Sequence, residues 1–314
     1  MTGIDDTRLA RELHRLGAGP VVVGEPLSRH TTFRLGGPAD LSVWPPHLEA
    51  LVACLRFLRM CGVPALVVGA GSHLVVPDAG VRAVVVHTSR LTGLRVRAAQ
   101  GEVWAEAGAP LAALATAALR AALAGLEFAA DIPGRVGASV AMNAGAYGVS
   151  LGERLREAWV LDPTGTVVSR VGPAACGFRP HESALLRSGA TVLAATFALT
   201  PADRRDIART MSALARRRRA RQPRGRPTFG CMFANPPGES AGALIDRAGL
   251  KGRRLGGTRI SERHANFVLN LGHARYAEVV ALMDLARARV RATYGIELRP
   301  EVRVVGEDGA AVHA

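Results

Sequence analysis

The residues best able to do chemistry are gathered in two glycine-bearing stretches and a small set of thiols. Residues 125–148 read GLEFAADIPGRVGASVAMNAGAYG: small, apolar and nearly uncharged, with glycines at Gly134, Gly137, Gly145 and Gly148. A residue without Cβ admits positive φ and close backbone approach. Such a run suits a main chain laid against a large flat or anionic ligand, and it equally suits a tightly packed structural loop. The other stretch, ALVVGAGSHLVV, reads as a buried strand, a glycine turn and a further apolar run. Many nucleotide binders share a glycine turn after a strand. Here GAGS does not satisfy GxGxxG and no helical pattern follows it, which excludes a Rossmann reading. Cys54, Cys61, Cys176 and Cys231 have no CxxC spacing and no paired histidines, so neither a zinc site nor a disulfide framework is indicated.

The elements that must position these residues can be read along the chain. With 314 residues, 48% hydrophobic and 21% charged, the composition is that of a globular protein of two domains or one large one. No run of some eighteen apolar residues occurs, and the acidic start MTGIDDTRLA reads as no signal peptide, so a cytoplasmic protein is expected. A helix is expected at 7–16. Leu48, Leu51, Val52, Leu55 and Leu58 share one face of an amphipathic helix that Gly62 ends. LRVRAAQ/EVWAEAG and EAWVLDPTGTVVSRV read as hairpins, VRAVVVHT and ATVLAATFALT as strands, and 110–123 as a helix. Beyond a helix at 202–221, Pro223, Gly225 and Pro227 suggest a domain boundary. A helix at 242–248, a strand at 265–270, a helix at 274–294 and a terminal strand at 297–305 follow. Strands alternating with a few helices indicate an α+β fold.

The net charge of +14 is carried almost wholly by arginine, with Lys251 the one lysine. Arginine pairs bidentately with phosphate, so the charge fits a phosphorylated small molecule as well as nucleic acid. Arg216–Arg219 end the expected helix where cations complement its dipole, and the plain reading is a solvated face. Aromatics make up only 4% of the chain and match no recognition motif, so no nucleic-acid partner and no membrane partner are expected.

The wording of several stretches resembles the UDP-N-acetylenolpyruvoylglucosamine reductase (MurB) family. IPGRVGASVAMNAGAYG resembles its flavin-contacting segment IPGxxGGAxxMNAGAYG, and HTTFRLGGPA resembles NTTFRxGGPA, with His30 at the usual Asn. GAGSHLVVPD resembles its phosphate loop GxGSNLLVxD, with His73 at the Asn. Residues 227–272, PTFGCMFANPPGESAGALIDRAGLKGRRLGGTRISERHANFVLNLG, follow the pattern PSAGSxFKNPxxxxAGxLIExAGLKGxxxGGAxxSxKHANFxxN, and LRPEV follows LExEV. The resemblance runs from about residue 28 to about residue 306 and lacks the tyrosine-bearing insertion of the longer subtype.

This resemblance implies an FAD-binding domain of the vanillyl-alcohol-oxidase (PCMH) type made of two α/β subdomains, plus a C-terminal α/β substrate-binding domain. The boundaries it implies are an N-terminal extension at 1–27, the FAD domain at 28–200, a helix and linker at 201–224 and the substrate domain at 225–314. It implies FAD as cofactor, NADPH as co-substrate and a UDP-sugar as substrate, with a monomer favoured. Gly69, Ala70, Gly71, Ser72, His73 and Leu74 would serve the flavin phosphates. Pro133, Gly134, Gly137, Ala138, Asn143, Ala144 and Gly145 would line the flavin. His73 reads as a hydrogen-bonding substitute for Asn. The alternative is covalent flavin attachment, which some flavoproteins of this class make through a His in that loop.

The family reaction adds hydride to the vinyl carbon of UDP-N-acetylglucosamine enolpyruvate and protonates the neighbouring carbon, giving UDP-N-acetylmuramate. It needs an acid at that carbon and charge stabilisation at the carboxylate. The Ser of GSxFKNP is Cys231 here. A thiol, ionising near pH ~8.5, is a stronger acid than an alkyl hydroxyl and can replace it as donor. The Glu of LExEV corresponds to Glu301. The Arg of FxYRxS falls on His181 of FRPHES, with Pro180 at the Tyr and Arg179 two residues before, and the Lys of FKNP is Ala234. Arg179, Asn235 and His264 would meet substrate. The loss of two cationic groups leaves open a flavin oxidoreductase on a different substrate in a specialised pathway, or a catalytically silent flavin-binding paralogue.

Overall fold

The computed structural model describes residues 6–313; the first five residues of the expected N-terminal extension and the last residue of the chain lie outside them. Its contacts divide the chain into two interleaved units. One comprises Met1–Val23, Leu41–Ala70 and Val84–Arg218; the other comprises Gly24–Asp40, Gly71–Ala83 and Arg219–Ala314. The end of the expected N-terminal extension, 24–27, and two segments of the expected FAD-binding stretch, 28–40 and 71–83, thus pack with the C-terminal residues.

Two larger sheets and two short two-stranded ones, Gly145–Ala146 with Val149–Ser150 and Leu123–Ala124 with Thr200–Pro201, centre on the first unit. A four-stranded sheet runs in the order Val21–Val23, Ala39–Val43, Val81–His87, Ala65–Val68, its last two strands parallel with Ala65 opposite Val84. The amphipathic helix forms at Leu48–Met60 and buries Leu51, Cys54, Leu55 and Leu58. Its first turn is capped by the His47 ring, which accepts from the Ala50 N–H. Those side chains share a core with Leu41, Val43, Val84 and Val86.

A five-stranded antiparallel sheet follows the order Val168–Val171, Leu155–Leu161, Thr191–Ala198, Glu102–Glu106, Leu94–Arg97. Both expected hairpins are in it. One turns at Gly101 in the left-handed region (φ 66°) and the other at 162–165, closed by Gly165 N–H to Asp162 C=O. Helix Leu111–Arg120 buries Leu111, Leu114, Ala115 and Ala118 against Val103 and Phe197. A further helix, Val136–Ala141, forms inside the glycine stretch, where the periodicity gives no sign of one.

The second unit is a smaller α+β body. Arg254–Leu255, Thr258–Ile260 and Val268–Asn270 form an antiparallel meander. Arg303–Val305 pairs in parallel with Leu74–Val75, Arg303 opposite Leu74, and antiparallel with Ala311–His313. Helices Ala241–Arg247 and Tyr276–Tyr294 close over a core of Phe33, Phe229, Met232, Phe233, Leu244, Ile245 and Leu282. The terminal strand expected at 297–305 is confined to Arg303–Val305. Pro300 has no N–H to give a ladder, and residues 299–302 bond piecemeal to 232–234 instead. Among the described residues no helix is long and apolar enough to cross a membrane.

Candidate functional site

In the first unit Gly134, Gly137 and Gly145 of the 125–148 stretch answer to close packing, whereas Gly148 faces open space and answers to its positive φ (83°). A Cβ on Gly137 would stand 2.7 Å from Ala107 Cβ and 3.0 Å from the Val192 carbonyl oxygen. The backbone explains why: Gly137 N–H donates to Ala107 C=O (2.8 Å) and Val136 N–H to Ala109 C=O (3.0 Å). On Gly134 a Cβ would meet Ser139 Oγ at 2.6 Å, and on Gly145 the Val149 carbonyl oxygen at 2.7 Å. The short helix therefore lies on its neighbouring strands because its residues are small. Gly69 meets its first turns, with Ala138 and Arg135 at van der Waals distance from the position of a Cβ.

Crowding at Gly137 sets an expected result. Gly137→Ala overpacks a rigid contact and lowers stability by about 1–3 kcal/mol, read as a lower urea midpoint, with flavin content falling alongside. A midpoint equal to the parent protein's would mean the strand contact yields freely.

Asn143 sits in the left-handed region (φ 47°) and is buried. Its side-chain oxygen accepts from Gly152 N–H (2.9 Å), and its amide NH2 donates to Arg179 C=O (2.9 Å). The side chain assigned to flavin contact is thus occupied in fastening the backbone of the FRPHES segment. That segment is a tight turn: Arg179 N–H and C=O both bond Glu182, Pro180 takes the second turn position and His181 the third at φ 57°. Proline followed by a positive-φ residue fits a type II turn. Ser183 Oγ donates to Ala141 C=O and caps the next helix, accepting from Leu186 N–H. The fold thereby fastens the Arg179–Glu182 turn, shaped by Pro180, to the Asn143 side chain. Part of the basic run is engaged here too, since the Arg217 guanidinium lies 5.1 Å over the Tyr147 ring.

In the second unit the segment Gly230–Asn235 forms no regular strand but is pinned on both sides by isolated bridges and backbone bonds. Cys231 bridges Phe267, and Met232 N–H donates to Asn266 C=O (2.8 Å). On the other flank Glu301 N–H donates to Met232 C=O (2.8 Å) and Ala234 N–H to Arg299 C=O (3.0 Å). Asn266 grips Phe233 with both ends of its amide, donating to the C=O (2.7 Å) and accepting from the N–H (3.0 Å). Met232 and Phe233 are fully buried, whereas Cys231 is half-buried. Glu301 is therefore bonded through its main chain to the residue that follows Cys231.

His73 joins this group, and nothing in the sequence announces it. Its Nε2 lies 3.1 Å from Glu301 Oε1, with the carboxylate side chain only 8% exposed. The ring also occupies the space over Gly230 (φ +87°), where a Cβ would stand 2.9 Å from His73 Cε1. Gly71, two residues earlier, is forced by the protein as well: a Cβ there would fall 2.1 Å from the His30 carbonyl oxygen. Ser72 is half-buried, whereas Leu74 is buried at the start of the parallel pairing.

Asn235 and His264 have structural duties of their own. The Asn235 side-chain oxygen accepts from Ala241 N–H (3.0 Å) at the start of helix Ala241–Arg247. His264 packs edge-on to Phe267 (4.9 Å), and its Nδ1 accepts from Asn266 N–H (3.3 Å), which assigns the neutral ring's proton to Nε2. Burial, with the charges of Lys251 and Arg221, lowers the His264 pKa below the ordinary histidine value. A depressed folded-state pKa gives stability that is present above the unfolded value of about 6.5 and is lost as pH falls through the folded one. The urea midpoint should therefore drop between about pH 7.5 and about pH 5.5, and drop less in His264→Gln. Equal slopes would mean His264 does not titrate differently on unfolding.

Thiol reagents give a direct reading of the cysteines, none of which is in a disulfide. Burial pushes the Cys54 thiol up to about 12 and raises Cys176, so both should stay unmodified in the native protein. Cys61 and Cys231, half-buried, should react first, as peptide mapping of the labelled protein will report.

The residues present fit an anionic, flat cofactor such as FAD. Arg135 directs Nη1 to the Gly108 carbonyl, while its buried Nε has no hydrogen-bond partner; burial lowers its pKa. A partly buried guanidinium with a donor to spare, next to Gly69, suits a phosphate oxygen.

Comparison with known proteins agrees with this. Residues 39–170 match the model of the FAD binding domain family, and residues 222–305 match that of the UDP-N-acetylenolpyruvoylglucosamine reductase C-terminal domain. The UDP-N-acetylenolpyruvoylglucosamine reductase of Heliobacterium modesticaldum is 45% identical over 92% of this chain and 91% of its own length. That of an Anaeromyxobacter species is 42% identical over 98% of this chain and 95% of its own. The crystal structure of the Thermus caldophilus UDP-N-acetylenolpyruvylglucosamine reductase (MurB) superposes with a TM-score of 0.76 at 34% identity, covering 91% of this chain and 98% of that one. With both domain models in sequence order and the likeness running through the thiol and carboxyl segments, the chain belongs to the UDP-N-acetylenolpyruvoylglucosamine reductase family.

Proposed function

We propose that this protein is an FAD-dependent, NADPH-driven reductase that converts UDP-N-acetylglucosamine enolpyruvate to UDP-N-acetylmuramate in the synthesis of peptidoglycan precursors. Bound FAD supplies the hydride relay between the nicotinamide and the enolpyruvyl double bond. Residues 28–200 serve as the FAD-binding region and 225–314 as the substrate domain, joined by the helix and linker at 201–224. The 69–74 loop holds the flavin phosphates through its backbone, with the Arg135 guanidinium beside Gly69. The 133–145 segment lines the flavin through its backbone, because its glycines and Asn143 are spent on packing.

The protein's own task is the proton. Hydride addition at the vinyl carbon leaves negative charge at the adjoining carbon and its carboxylate. Cys231 gives its thiol proton to that carbon, and Glu301 polarises the site. Asn235, His264, Arg179 and His181 bind substrate, with the carboxylate assigned to His181 and Arg179. The observation that supports this reading is the bond from Glu301 N–H to the C=O of Met232, the residue after Cys231, within one unit. A UDP-sugar and NADPH are cytoplasmic metabolites, and four cysteines outside any disulfide suit that compartment. The protein works there as a monomer, with no nucleic-acid or membrane partner.

The test is anaerobic. NADPH should bleach the purified yellow protein, and the enolpyruvyl substrate should restore the colour rapidly. Bleaching without recovery would favour a second reading, a reductase of this family acting on a different acceptor. The particular support for that reading is the Pro180–His181 turn, which offers an imidazole in place of the five-donor fork of an arginine. A protein that neither carries nor takes up FAD would overturn both.

A further inference from the structure

We infer that His73 is a positioning residue for the proton-delivering half of the reaction: its Nε2–H holds Oε1 of Glu301 and fixes the orientation of the carboxyl group beside the Gly230–Met232 segment. The inference rests on the function proposed above. It moves the His73 side chain out of the flavin-binding role that its place in the phosphate loop suggests.

Geometry from three directions supports it. The Nε2 to Oε1 separation of 3.1 Å is a full hydrogen bond, to a carboxyl group that is 8% exposed. The main chain holds the imidazole in place, since Arg303 N–H donates to His73 C=O (3.0 Å) where Leu74 begins its parallel pairing with Arg303. The ring then rests over Gly230, where even a methyl group would meet it at 2.9 Å. A glycine before Cys231 is thus the condition for an imidazole at 73.

Chemistry explains why such a device is useful. A nearly buried carboxyl group that must face developing negative charge has to be held in one orientation, and an oxygen gripped by a charge-assisted hydrogen bond cannot rotate away. No bond is made or broken at His73. The proton that reaches substrate comes from Cys231, and the Nε2 hydrogen stays on the ring. The family pattern has Lys where this chain has Ala234, and Asn where it has His73. The same unit has therefore lost one basic side chain and gained another, now against Glu301.

A double-mutant cycle on the flavin-loaded protein tests this. His73→Asn and His73→Gln should slow substrate-driven reoxidation roughly 10- to 100-fold, the value of one hydrogen bond to a charged group. The loss should be at least about tenfold greater there than in NADPH-driven reduction, and should shrink to under about threefold when Glu301→Gln is already present. Equal losses in both half-reactions, or the same loss with and without the Glu301 carboxylate, overturn the inference and return His73 to a flavin contact. If the parent protein itself is not reoxidised, the substrate assignment fails, and His73 is judged separately. A long-range proton–nitrogen correlation spectrum should then show the His73 proton on Nε2, and its resonance should shift in Glu301→Gln. A proton on Nδ1 alone, or a spectrum unmoved by that substitution, overturns the pairing.

Discussion

Cys231→Ala should yield a yellow protein that NADPH still reduces and whose reoxidation by the enolpyruvyl substrate slows by roughly 10²–10⁴-fold, the usual value of a positioned general acid. The expectation rests on the substitution being local. Met232 and Phe233 are fully buried beside Cys231, and the segment is bonded on one flank to Asn266 and on the other to Arg299 and Glu301. Removing one sulfur from a half-buried position leaves that frame standing. The hydride step then has no partner to neutralise the charge it creates, and the first half-reaction keeps every group it uses. Cys231→Ser restores a donor of the kind the family pattern carries, so its rate should lie between those of the parent and Cys231→Ala. Reoxidation of Cys231→Ala at the parent rate would remove the thiol from the mechanism.

What could be read from the sequence was local pattern. The period of Leu48, Leu51, Leu55 and Leu58 specified the Leu48–Met60 helix to within a turn, because a stripe of that spacing has one way to bury itself. Gly101 and the Asp162–Gly165 turn marked both hairpins through backbone chemistry that tolerates few substitutes. The 125–148 stretch was legible as a place where a side chain is forbidden, but not as to what forbids it. At Gly134, Gly137 and Gly145 the obstacle is the protein itself: the Val136–Ala141 helix and the strand beneath it at the first two, with no amphipathic period to reveal that helix, and Val149–Ser150 at the third.

Long-range pairing was the part out of reach. His73 and Glu301 are 228 residues apart and meet because Leu74–Val75 runs parallel to Arg303–Val305, a pairing that strands of two and three residues do not announce. The same limit explains the strand expected at 297–305. Its apolar character is real, but Leu298 and Val302 are buried as single insertions around Pro300 rather than as a paired ladder. Asn143, Asn235 and Asn266 teach a related point. Each sits in a segment whose wording suggests ligand contact, and each spends at least part of its amide on the backbone of its own unit. An asparagine can do that because its side chain copies a peptide group, with one acceptor and an NH2 donor in a fixed plane.

Asn266 is where that copy matters most to stability. Asn266→Ala should lower the unfolding free energy by about 2–4 kcal/mol, since it strands both the N–H and the C=O of Phe233, at a cost of roughly 1–3 kcal/mol for each buried group left unpaired. Both residues are buried, Asn266 at 2% and Phe233 at 0% exposure, so water cannot replace the lost partners without opening the core. The separate bond from Met232 N–H to Asn266 C=O survives, because it uses the main chain, and the segment should loosen rather than detach. The proton step should then suffer along with stability: Cys231 precedes Met232, and Glu301 is tied to that residue's carbonyl. Asn266→Asp distinguishes the two halves of the amide, keeping the acceptor for Phe233 N–H and removing the donor for its C=O while burying a charge. It should be at least as destabilising as Ala. Urea unfolding followed by fluorescence, together with anaerobic reoxidation of folded protein, measures both effects. An unfolding free energy for Asn266→Ala within about 1 kcal/mol of the parent's would mean that the segment bearing the thiol is held by its backbone bonds alone.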